Sequence, residues 1–219
     1  MKKNQHTQNP RRDPLAGPGS ARSAPAPDPE AGIRDAKKAL RAQIRKTVSG
    51  LSAAYREKAD RGIFEHVVSL PEYQQACTIF CFVSMPDEAD TRKIIDDALS
   101  KGKRVCVPRC EGKGIMNAYE IRSPERDLRP GKWSIPEPVA DAPRVEPGAF
   151  DLALVPCCAA SRDGRRLGFG GGFYDRYLLK TGAVRAVLCR EQVLRDDIPT
   201  DSHDLTMDIV ISERGVTRV

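Results

Sequence analysis

A glycine-rich segment, GRRLGFGGGFYD at residues 164–175, constrains this chain more than any other part of its sequence. It has five glycines within nine residues and follows a compact apolar run at residues 151–156 that is typical of a strand. Glycine lets the backbone approach a ligand closely and adopt positive φ. The helix predicted after it offers free N–H donors and the positive end of a dipole. With Arg165 and Arg166 adding cationic charge, the segment suits a phosphate group.

The spacing of these glycines differs from that of two familiar nucleotide-binding loops. No Gly-Lys-Ser/Thr follows, as a P-loop requires. In a dinucleotide fingerprint that starts at Gly168 and Gly170, the third glycine position is occupied by Phe173. The residue types alone therefore leave two interpretations open: an anion-binding loop, or a flexible surface turn that caps a helix.

Helical and strand-like patterns alternate along the chain. Apolar residues recur at helical spacing from Ile33 to Val48, and Ser52 is placed to cap a second helix that ends near Leu70. Further helices are predicted at residues 92–100 (with Thr91 as N-cap) and 172–180, and strands at 78–84, 104–108, 116–121, 151–156, 184–189 and 208–211. Residues 122–150 are predicted to be a long loop. The alternation favours a single α/β domain, Rossmann-like, whose mostly parallel central sheet has helices on both faces. Ligands then belong at the carboxyl ends of strands.

Composition divides the chain near residue 32. Residues 1–32 are rich in Pro, Ala, Gly and Arg with almost no large apolar side chains, so they are predicted to form a disordered tail before a domain at 33–219. The net charge of +6 favours anionic partners, but basic residues are spread along the chain, which argues against nucleic acid. Since no run approaches the ~20 apolar residues of a membrane span, we expect no membrane partner.

Seven cysteines include two pairs with a spacing of four, Cys77 with Cys81 and Cys106 with Cys110. In or beside strand-like runs, that spacing places two side chains about 13 Å apart on one face. Two ligands of one zinc ion cannot be so far apart, because each Zn–S bond is about 2.3 Å long. We therefore expect buried, reduced structural thiols and a cytoplasmic location, which the odd number of cysteines supports.

Four further blocks accompany the glycine-rich segment and its strand. They are AKKALRAQI at 36–44, FVSMPDEADT at 82–91, KWSIPEP at 132–138 and EQVLRDDIPTDSHDLTMDIVIS at 191–212. Together with DLALVP and GRRLGFGGGFYDRYL, they resemble the 5-formyltetrahydrofolate cyclo-ligase family, in family order over about residues 33–214. The resemblance implies the α/β fold of that family and an enzyme that uses ATP and Mg²⁺ to convert 5-formyltetrahydrofolate, with or without a polyglutamate tail, to 5,10-methenyltetrahydrofolate. We expect a monomer with a small-molecule substrate.

The same resemblance implies roles for individual residues. The residues implied for ATP are Lys37, Lys38, Arg41, Arg166, Leu167, Gly168, Phe169, Gly170, Gly171, Gly172, Phe173 and Tyr174. The residues implied for folate are Val83, Glu88, Trp133 and Tyr174. Asp175 and Asp204 match the carboxylates that hold Mg²⁺, and catalytic roles are expected of Lys37, Arg166 and Tyr174.

The implied reaction has a chemical logic. An N-formyl amide is a poor electrophile, and its oxygen cannot leave as oxide. Transfer of the γ-phosphoryl group to that oxygen, followed by attack of N10 of the same folate, closes the ring and releases phosphate. The tasks left to the protein are positioning and charge stabilisation.

Taken singly, several of these residues have ordinary structural interpretations. Asp175 would be a favourable charge in the first turn of a helix. Lys37 and Arg41 would form a solvated basic face, and Glu88 and Asp204 would be surface acids.

The chain also departs from the family pattern. After Pro156, where members of the family carry an aromatic residue and a carboxylate, it has CCAAS at 157–161, and Asp163 is the candidate to replace the lost charge. Two other functions stay open. A kinase-like enzyme for another small metabolite would share the glycine-rich loop but not Glu88 and Trp133, and an RNA-binding protein would need exposed aromatic residues among basic ones.

We expect a chain that begins at Ala31 to fold and to act as the full-length chain does, because the composition of the first 30 residues cannot build a core. The melting temperature and the turnover of both chains, measured side by side, check this. A loss of either in the shorter chain would assign a role to the tail.

Overall fold

The computed structural model describes residues 29–112, 114–131 and 135–219. Its helices are α1 (Pro29–Ser49), α2 (Ala53–Ser69), α3 (Pro71–Gln75), α4 (Arg92–Ser100), α5 (Pro124–Asp127) and α6 (Phe173–Leu178). Its strands are β1 (Thr78–Cys81), β2 (Arg104–Gly112), β3 (Ile115–Ile121), β4 (Leu128–Pro130), β5 (Pro136–Pro138), β6 (Arg144–Val145), β7 (Leu152–Val155), β8 (Ala159–Ala160), β9 (Arg166–Leu167), β10 (Val184–Leu188), β11 (Ile209–Ser212) and β12 (Gly215–Arg218). Two 3-10 turns, Pro147–Ala149 and Glu191–Val193, lie between strands.

Eight of these strands form one sheet in the order β12-β11-β10-β7-β1-β2-β3-β6. The five consecutive strands from β11 to β2 are parallel, and β12, β3 and β6 add antiparallel edges. Two short antiparallel pairs, β4 with β5 and β8 with β9, stand outside it. The predicted single α/β domain with a mostly parallel sheet is confirmed.

Helices cover both faces of the sheet because the side chains of each strand alternate between them. On β7, Ala153 and Val155 join one buried cluster, and Leu152 and Leu154 join the other. The first cluster includes apolar residues of α1 and α6, and the second includes those of α2 and α4. Because β11, β10, β7, β1 and β2 are parallel, their carboxyl ends all lie at one edge of the sheet.

The start of α2 follows the predicted local chemistry, whereas the start of α4 does not. Ser52 accepts a hydrogen bond from the backbone N–H of Tyr55 at 3.2 Å, as an N-cap should. Thr91 occupies the predicted cap position of α4 without capping it. Its hydroxyl donates to the carbonyl of Phe82 at 2.7 Å and accepts from the N–H of Ser84 at 3.1 Å. The Thr91 side chain therefore stabilises the loop after β1 and does not cap α4.

Two predictions about regular structure and burial were wrong, and one strand was missed. Residues 122–150 are not one long loop, because α5, the β4–β5 hairpin and β6 lie within them. Proline is compatible with such edge strands, since it removes only the N–H that an edge can leave unpaired. The terminal strand β12 was not predicted, although it pairs with β11 along its whole length. Cys77 is exposed, whereas five of the other cysteines are buried as expected.

Within the described ranges, no helix combines the length and the apolar character that crossing a bilayer requires.

The hairpin of β11 and β12 packs against α2 at Gly62. A Cβ atom at residue 62 would lie 2.9 Å from Cβ and 3.1 Å from Cα of Glu213, in the turn of the hairpin. The carboxylate of Glu213 is held by the hydroxyl of Tyr55 and the N–H of Glu191. The turn therefore cannot easily yield to a larger side chain at this position.

We expect Gly62→Ala to destabilise the protein by about 1–3 kcal/mol through overpacking, although alanine in a helix interior normally stabilises by about 1 kcal/mol. Chemical denaturation measures the difference in the free energy of unfolding. Gly182→Ala is the control, because Gly182 has open space around it and should stay within about 0.5 kcal/mol of wild type. A more stable Gly62→Ala variant would contradict the packing of this hairpin on α2.

Candidate functional site

A cavity of about 1270 Å³ opens at the carboxyl ends of the central strands. Within the described residues, every residue predicted to contact ATP, folate or Mg²⁺ lines this one cavity. They are Lys37, Lys38, Arg41, Val83, Glu88, Arg166, Leu167, Gly168, Phe169, Gly170, Gly171, Gly172, Phe173, Tyr174, Asp175 and Asp204. Trp133 lies outside the described residues. A smaller cavity of about 220 Å³ adjoins the first and shares Arg41, Asp87, Glu88 and Phe169 with it.

The glycine-rich loop connects β9 to α6 along one wall of the cavity. Gly170 has φ +101° and Gly172 has φ +61°, in the left-handed region that side chains other than glycine rarely adopt. Gly172 is the N-cap residue of α6, so the chain turns sharply into the helix and leaves the N–H groups of its first turn without helical partners. The loop thus presents backbone donors rather than side chains.

Arg166 is a buried cation at the base of this loop, with 5% of its surface exposed. Its Nη1 donates to the carbonyl of Pro156 at 3.3 Å, and its Nη2 donates to Oδ1 of Asp175 at 2.7 Å. Its Nε is buried and has no hydrogen-bond partner among the described residues. An unsatisfied buried donor costs about 1–3 kcal/mol, and functional sites are where such groups are retained.

Lys37 reaches the cavity from α1 and is also buried, at 8% exposure. Its Nζ donates to Asp201 at 2.7 Å and to Asp204 at 2.5 Å. The N–H of Asp201 donates in turn to Oδ2 of Asp204 at 2.8 Å. Burial alone would lower the pKa of Lys37, but its hydrogen bonds to the two carboxylates outweigh burial and raise that pKa above the ordinary value. The amine stays charged where α1 meets the C-terminal loop.

Arg41 lies one helical turn after Lys37 and ties α1 to the glycine-rich loop. Its Nε donates to the carbonyl of Gly168 at 2.7 Å. Lys38, between them on the helix, is exposed and lines the same cavity. These contacts rule out a fully solvated basic face on α1, since Lys37 is buried and Arg41 is engaged with the loop.

Glu88 also lines the cavity, and it lies in a turn formed by residues 85–88. Its N–H donates to the carbonyl of Met85 at 3.0 Å, and its Oε2 accepts from the N–H of Met85 at 2.7 Å. Burial raises the pKa of Glu88 to about 7, and the neighbouring charge of Asp87 adds to the shift. Burial also raises the pKa of Tyr174 well above its ordinary value, with the charge of Glu88 contributing. Val83 is buried and lines the same cavity.

The two predicted metal carboxylates both line the cavity, and each pairs with a cation. Asp175 uses Oδ1 for Arg166, and Asp204 uses Oδ2 for Lys37. Among the described residues, no group of three or more histidine, cysteine, aspartate and glutamate side chains is arranged to hold a metal ion. Any metal bound by these carboxylates would need further oxygen ligands from a bound molecule or water.

Two expectations about charge near the loop were wrong. Arg165 does not face the cavity, because its guanidinium donates to the carbonyls of Asp196 at 2.7 Å and Ile198 at 3.1 Å. Asp163 does not line the cavity either. It pairs with Arg165, and the Arg165 and Ser161 side chains lower the pKa of its carboxyl to about 2. The departure at 157–161 therefore leaves no replacement carboxylate in the cavity.

Several residues of the cavity wall escaped the sequence interpretation. Asp201 was missed. It precedes Asp204 by three residues in a loop, and this spacing could have indicated that the two carboxylates lie close together. The β4–β5 hairpin contributes Ile135, Pro136 and Glu137, and the region was predicted to be a loop. Arg176 of α6 also lines the wall, with its Nη2 donating to the carbonyl of Gly171 at 2.7 Å.

Comparisons with known proteins agree with this architecture. The model of the 5-formyltetrahydrofolate cyclo-ligase family matches residues 33–213. The probable 5-formyltetrahydrofolate cyclo-ligase of Schizosaccharomyces pombe is 29% identical over 198 residues, covering 83% of this chain and 97% of that protein. The 5-formyltetrahydrofolate cyclo-ligase of Mus musculus is 31% identical over 194 residues, covering 83% of this chain and 95% of that one.

Solved structures give the same result. The NMR structure of 5,10-methenyltetrahydrofolate synthetase from Aquifex aeolicus has a TM-score of 0.75 at 28% identity and covers 83% of this chain and 92% of that one. A 5,10-methenyltetrahydrofolate synthetase from Mycoplasma pneumoniae has a TM-score of 0.67 at 22% identity, covering 81% and 98%. The second similarity concerns the fold alone.

We expect Lys37→Met to lower the free energy of unfolding at neutral pH by about 1–3 kcal/mol, because it removes hydrogen bonds between charged groups and leaves two carboxylates together. The hydrogen bond from Lys37 lowers the pKa of Asp201 in the folded protein, so the stability that Asp201 contributes is present above its unfolded pKa of about 3.9 and is lost as pH falls through the folded value. The variant should therefore lose less stability than wild type below about pH 4.

Urea denaturation at pH 7 and at pH 3 measures both quantities for the two proteins. Lys38→Met is the matched control, since the exposed Lys38 neighbours Lys37 and should leave the pH profile unchanged. If the free energy of unfolding of Lys37→Met falls between pH 7 and pH 3 by as much as that of wild type, the buried pairing of Lys37 with the two aspartates is contradicted.

Proposed function

The chain belongs to the 5-formyltetrahydrofolate cyclo-ligase family, and on that premise we propose that it closes 5-formyltetrahydrofolate to 5,10-methenyltetrahydrofolate with ATP as co-substrate. One observation carries the proposal. A single cavity is lined by the cations of α1, by the glycine-rich loop and by Glu88. Such a cavity can hold a polyphosphate and a heterocycle with N–H donors next to each other, which is what this reaction requires.

The cations of the cavity fit the phosphates of ATP. The Nε of Arg166 is a buried donor without a partner in the described structure, and an anion is the natural acceptor for it. A Cβ atom at Gly168 would lie 2.9 Å from Nη1 of Arg166, so glycine at this position keeps the guanidinium accessible to the loop. Lys37, Lys38 and Arg41 add charge from α1. These residues would hold the phosphates and orient the terminal one.

The carboxylates fit Mg²⁺ in their chemistry. Asp175 and Asp204 offer hard oxygen ligands, and Mg²⁺ typically takes one or two carboxylates together with phosphate oxygens and water. Their present partners, Arg166 and Lys37, are cations that an incoming polyphosphate would also attract. When bound, Mg²⁺ would neutralise phosphate charge in this cavity.

The substrate's own chemistry sets what the protein must do. Phosphorylation turns the formyl oxygen into a leaving group; N10 attacks the formyl carbon, loses its proton, and phosphate departs. Arg166 and Lys37 would stabilise the negative charge that moves during transfer, as preorganised buried cations do. The loop and α1, joined by Arg41, would exclude water that competes for the phosphoryl group.

Three residues of the cavity suit the pterin. The carboxylate of Glu88 can accept hydrogen bonds from ring N–H groups, Val83 supplies an apolar surface, and Tyr174 lines the same cavity. Charge-assisted hydrogen bonds of this kind are stronger than neutral ones. Glu88 would thus fix the ring so that the formyl group faces the phosphates.

The test of the function is a spectrophotometric assay that follows the methenyl product from 5-formyltetrahydrofolate. We expect product only when ATP and Mg²⁺ are both present, with ADP formed in a 1:1 ratio to product. Phosphorylation of another metabolite without formylfolate turnover would favour the kinase-like alternative, and no nucleotide use at all would overturn the proposal.

We expect kcat/KM for 5-formyltetrahydrofolate to rise as pH increases through about 7, because the ionised form of Glu88 is the one that accepts pterin N–H groups. Glu88→Gln should lower kcat/KM about tenfold above pH 7, consistent with the loss of a charged hydrogen bond, and should flatten the profile. Glu146→Gln, at an exposed position, is the control. A Glu88→Gln profile that still rises near pH 7 would show that another group titrates.

A further inference from the structure

Arg190 is a buried arginine that follows β10 and is 4% exposed. It forms a two-pronged ion pair with Asp60 of α2, from Nε to Oδ1 at 2.9 Å and from Nη2 to Oδ2 at 2.9 Å. The remaining donors reach two successive carbonyls, Nη1 to Asp87 at 3.2 Å and Nη2 to Glu88 at 2.5 Å. One guanidinium thus connects the end of a central strand, a helix on one face and the turn that contains Glu88.

The geometry of this turn depends on these contacts. The 85–88 turn has its own two hydrogen bonds between Met85 and Glu88, but both are internal to it and do not fix where the turn sits. Two arginines contact the turn from outside: Arg56 donates to the carbonyl of Pro86 at 2.9 Å, and Arg190 donates to the backbone of Glu88 itself. Asp60 balances its charge, so the buried cation stays in place.

We propose that Arg190, held by Asp60, is a positioning residue for the folate end of the site, because it fixes the turn that directs the Glu88 carboxyl into the cavity. Arg190 lines the smaller cavity and not the larger one, so it acts through Glu88. The inference rests on the proposed function, which makes Glu88 a substrate contact. A displacement of about 1 Å at such a group can cost 10²-fold in rate.

The ionisation of Glu88 reports the position of the turn. Charged and titratable groups near Glu88 come from several elements: Arg41, Asp87, Cys157, Tyr174 and Arg190 itself. Arg56 pairs with Asp87, and Asp60 pairs with Arg190. Burial is the main reason that its pKa lies near 7. A turn released from Arg190 would admit water to the carboxyl, and the pKa of Glu88 would fall toward the ordinary value of about 4.3.

Arg190→Lys is the decisive variant. Lysine keeps a positive charge next to Asp60, but it lacks the planar guanidinium group whose several N–H donors also reach the two carbonyls. Arg185→Lys is its matched control. Arg185 lies at the other end of the same strand and forms an equivalent two-pronged pair with Asp208, at 3.0 and 2.7 Å. Asp60→Asn, with Asp208→Asn as control, provides a second pair if Arg190→Lys does not fold.

Two readouts are compared in full-length protein. We expect Arg190→Lys to raise KM for 5-formyltetrahydrofolate about tenfold or more while KM for ATP changes less than about twofold. Carbon-13 NMR titration of the ligand-free protein should show the midpoint of Glu88 moving down from about 7, and the Arg185→Lys control should show neither change. Equal changes in both KM values, or an unchanged Glu88 midpoint, would overturn the inference. If wild type converts no formylfolate, the proposed function fails, and the titration of Glu88 still decides whether Arg190 positions it.

Discussion

The buried amine of Lys37 between Asp201 and Asp204 is the interaction on which the site depends. It fastens the first helix of the domain to a loop more than 160 residues later in the chain, at the edge where the parallel strands end. One turn further along α1, Arg41 fastens the same helix to the carbonyl of Gly168. The apolar residues of α1 pack it against the sheet, and these polar contacts fix its position relative to the glycine-rich loop.

This arrangement places unlike charges close together in a partly desolvated cavity. Lys37 and Arg166 are buried cations, and each has an aspartate partner. Burying charge is favourable only when partners are present, so the carboxylates stabilise the buried cations. The same carboxylates are hard oxygen ligands, and the same cations attract phosphate. A bound polyphosphate with its metal would therefore exchange partners with groups already in place, rather than requiring new ones to assemble.

The sequence predicts what local chemistry determines. Ser52 caps α2 because its hydroxyl needs only the free N–H group three residues later. The apolar runs of β7 and β10 form adjacent parallel strands, and that apolar character is visible in the local sequence alone. Prediction from the sequence failed where the structure depends on contacts with residues that are distant in the chain. Thr91 serves the loop after β1, β12 exists because β11 offers an edge, and Arg165 turns away to the carbonyls of residues 196 and 198. Asp201 and Arg190 have ordinary sequence surroundings, and only the fold shows what they contact.

The measurement that tests the central claim most directly follows the formyl oxygen. The cavity is proposed to hold the terminal phosphate of ATP against the formyl group, so 5-formyltetrahydrofolate labelled with oxygen-18 in that group should pass its label to the phosphate released. Mass spectrometry of the phosphate from a single turnover reads this out, with unlabelled substrate in labelled water as the control. Labelled phosphate is the predicted result. Methenyl product accompanied by unlabelled phosphate would show that the formyl oxygen leaves by another route and would contradict the account of the site.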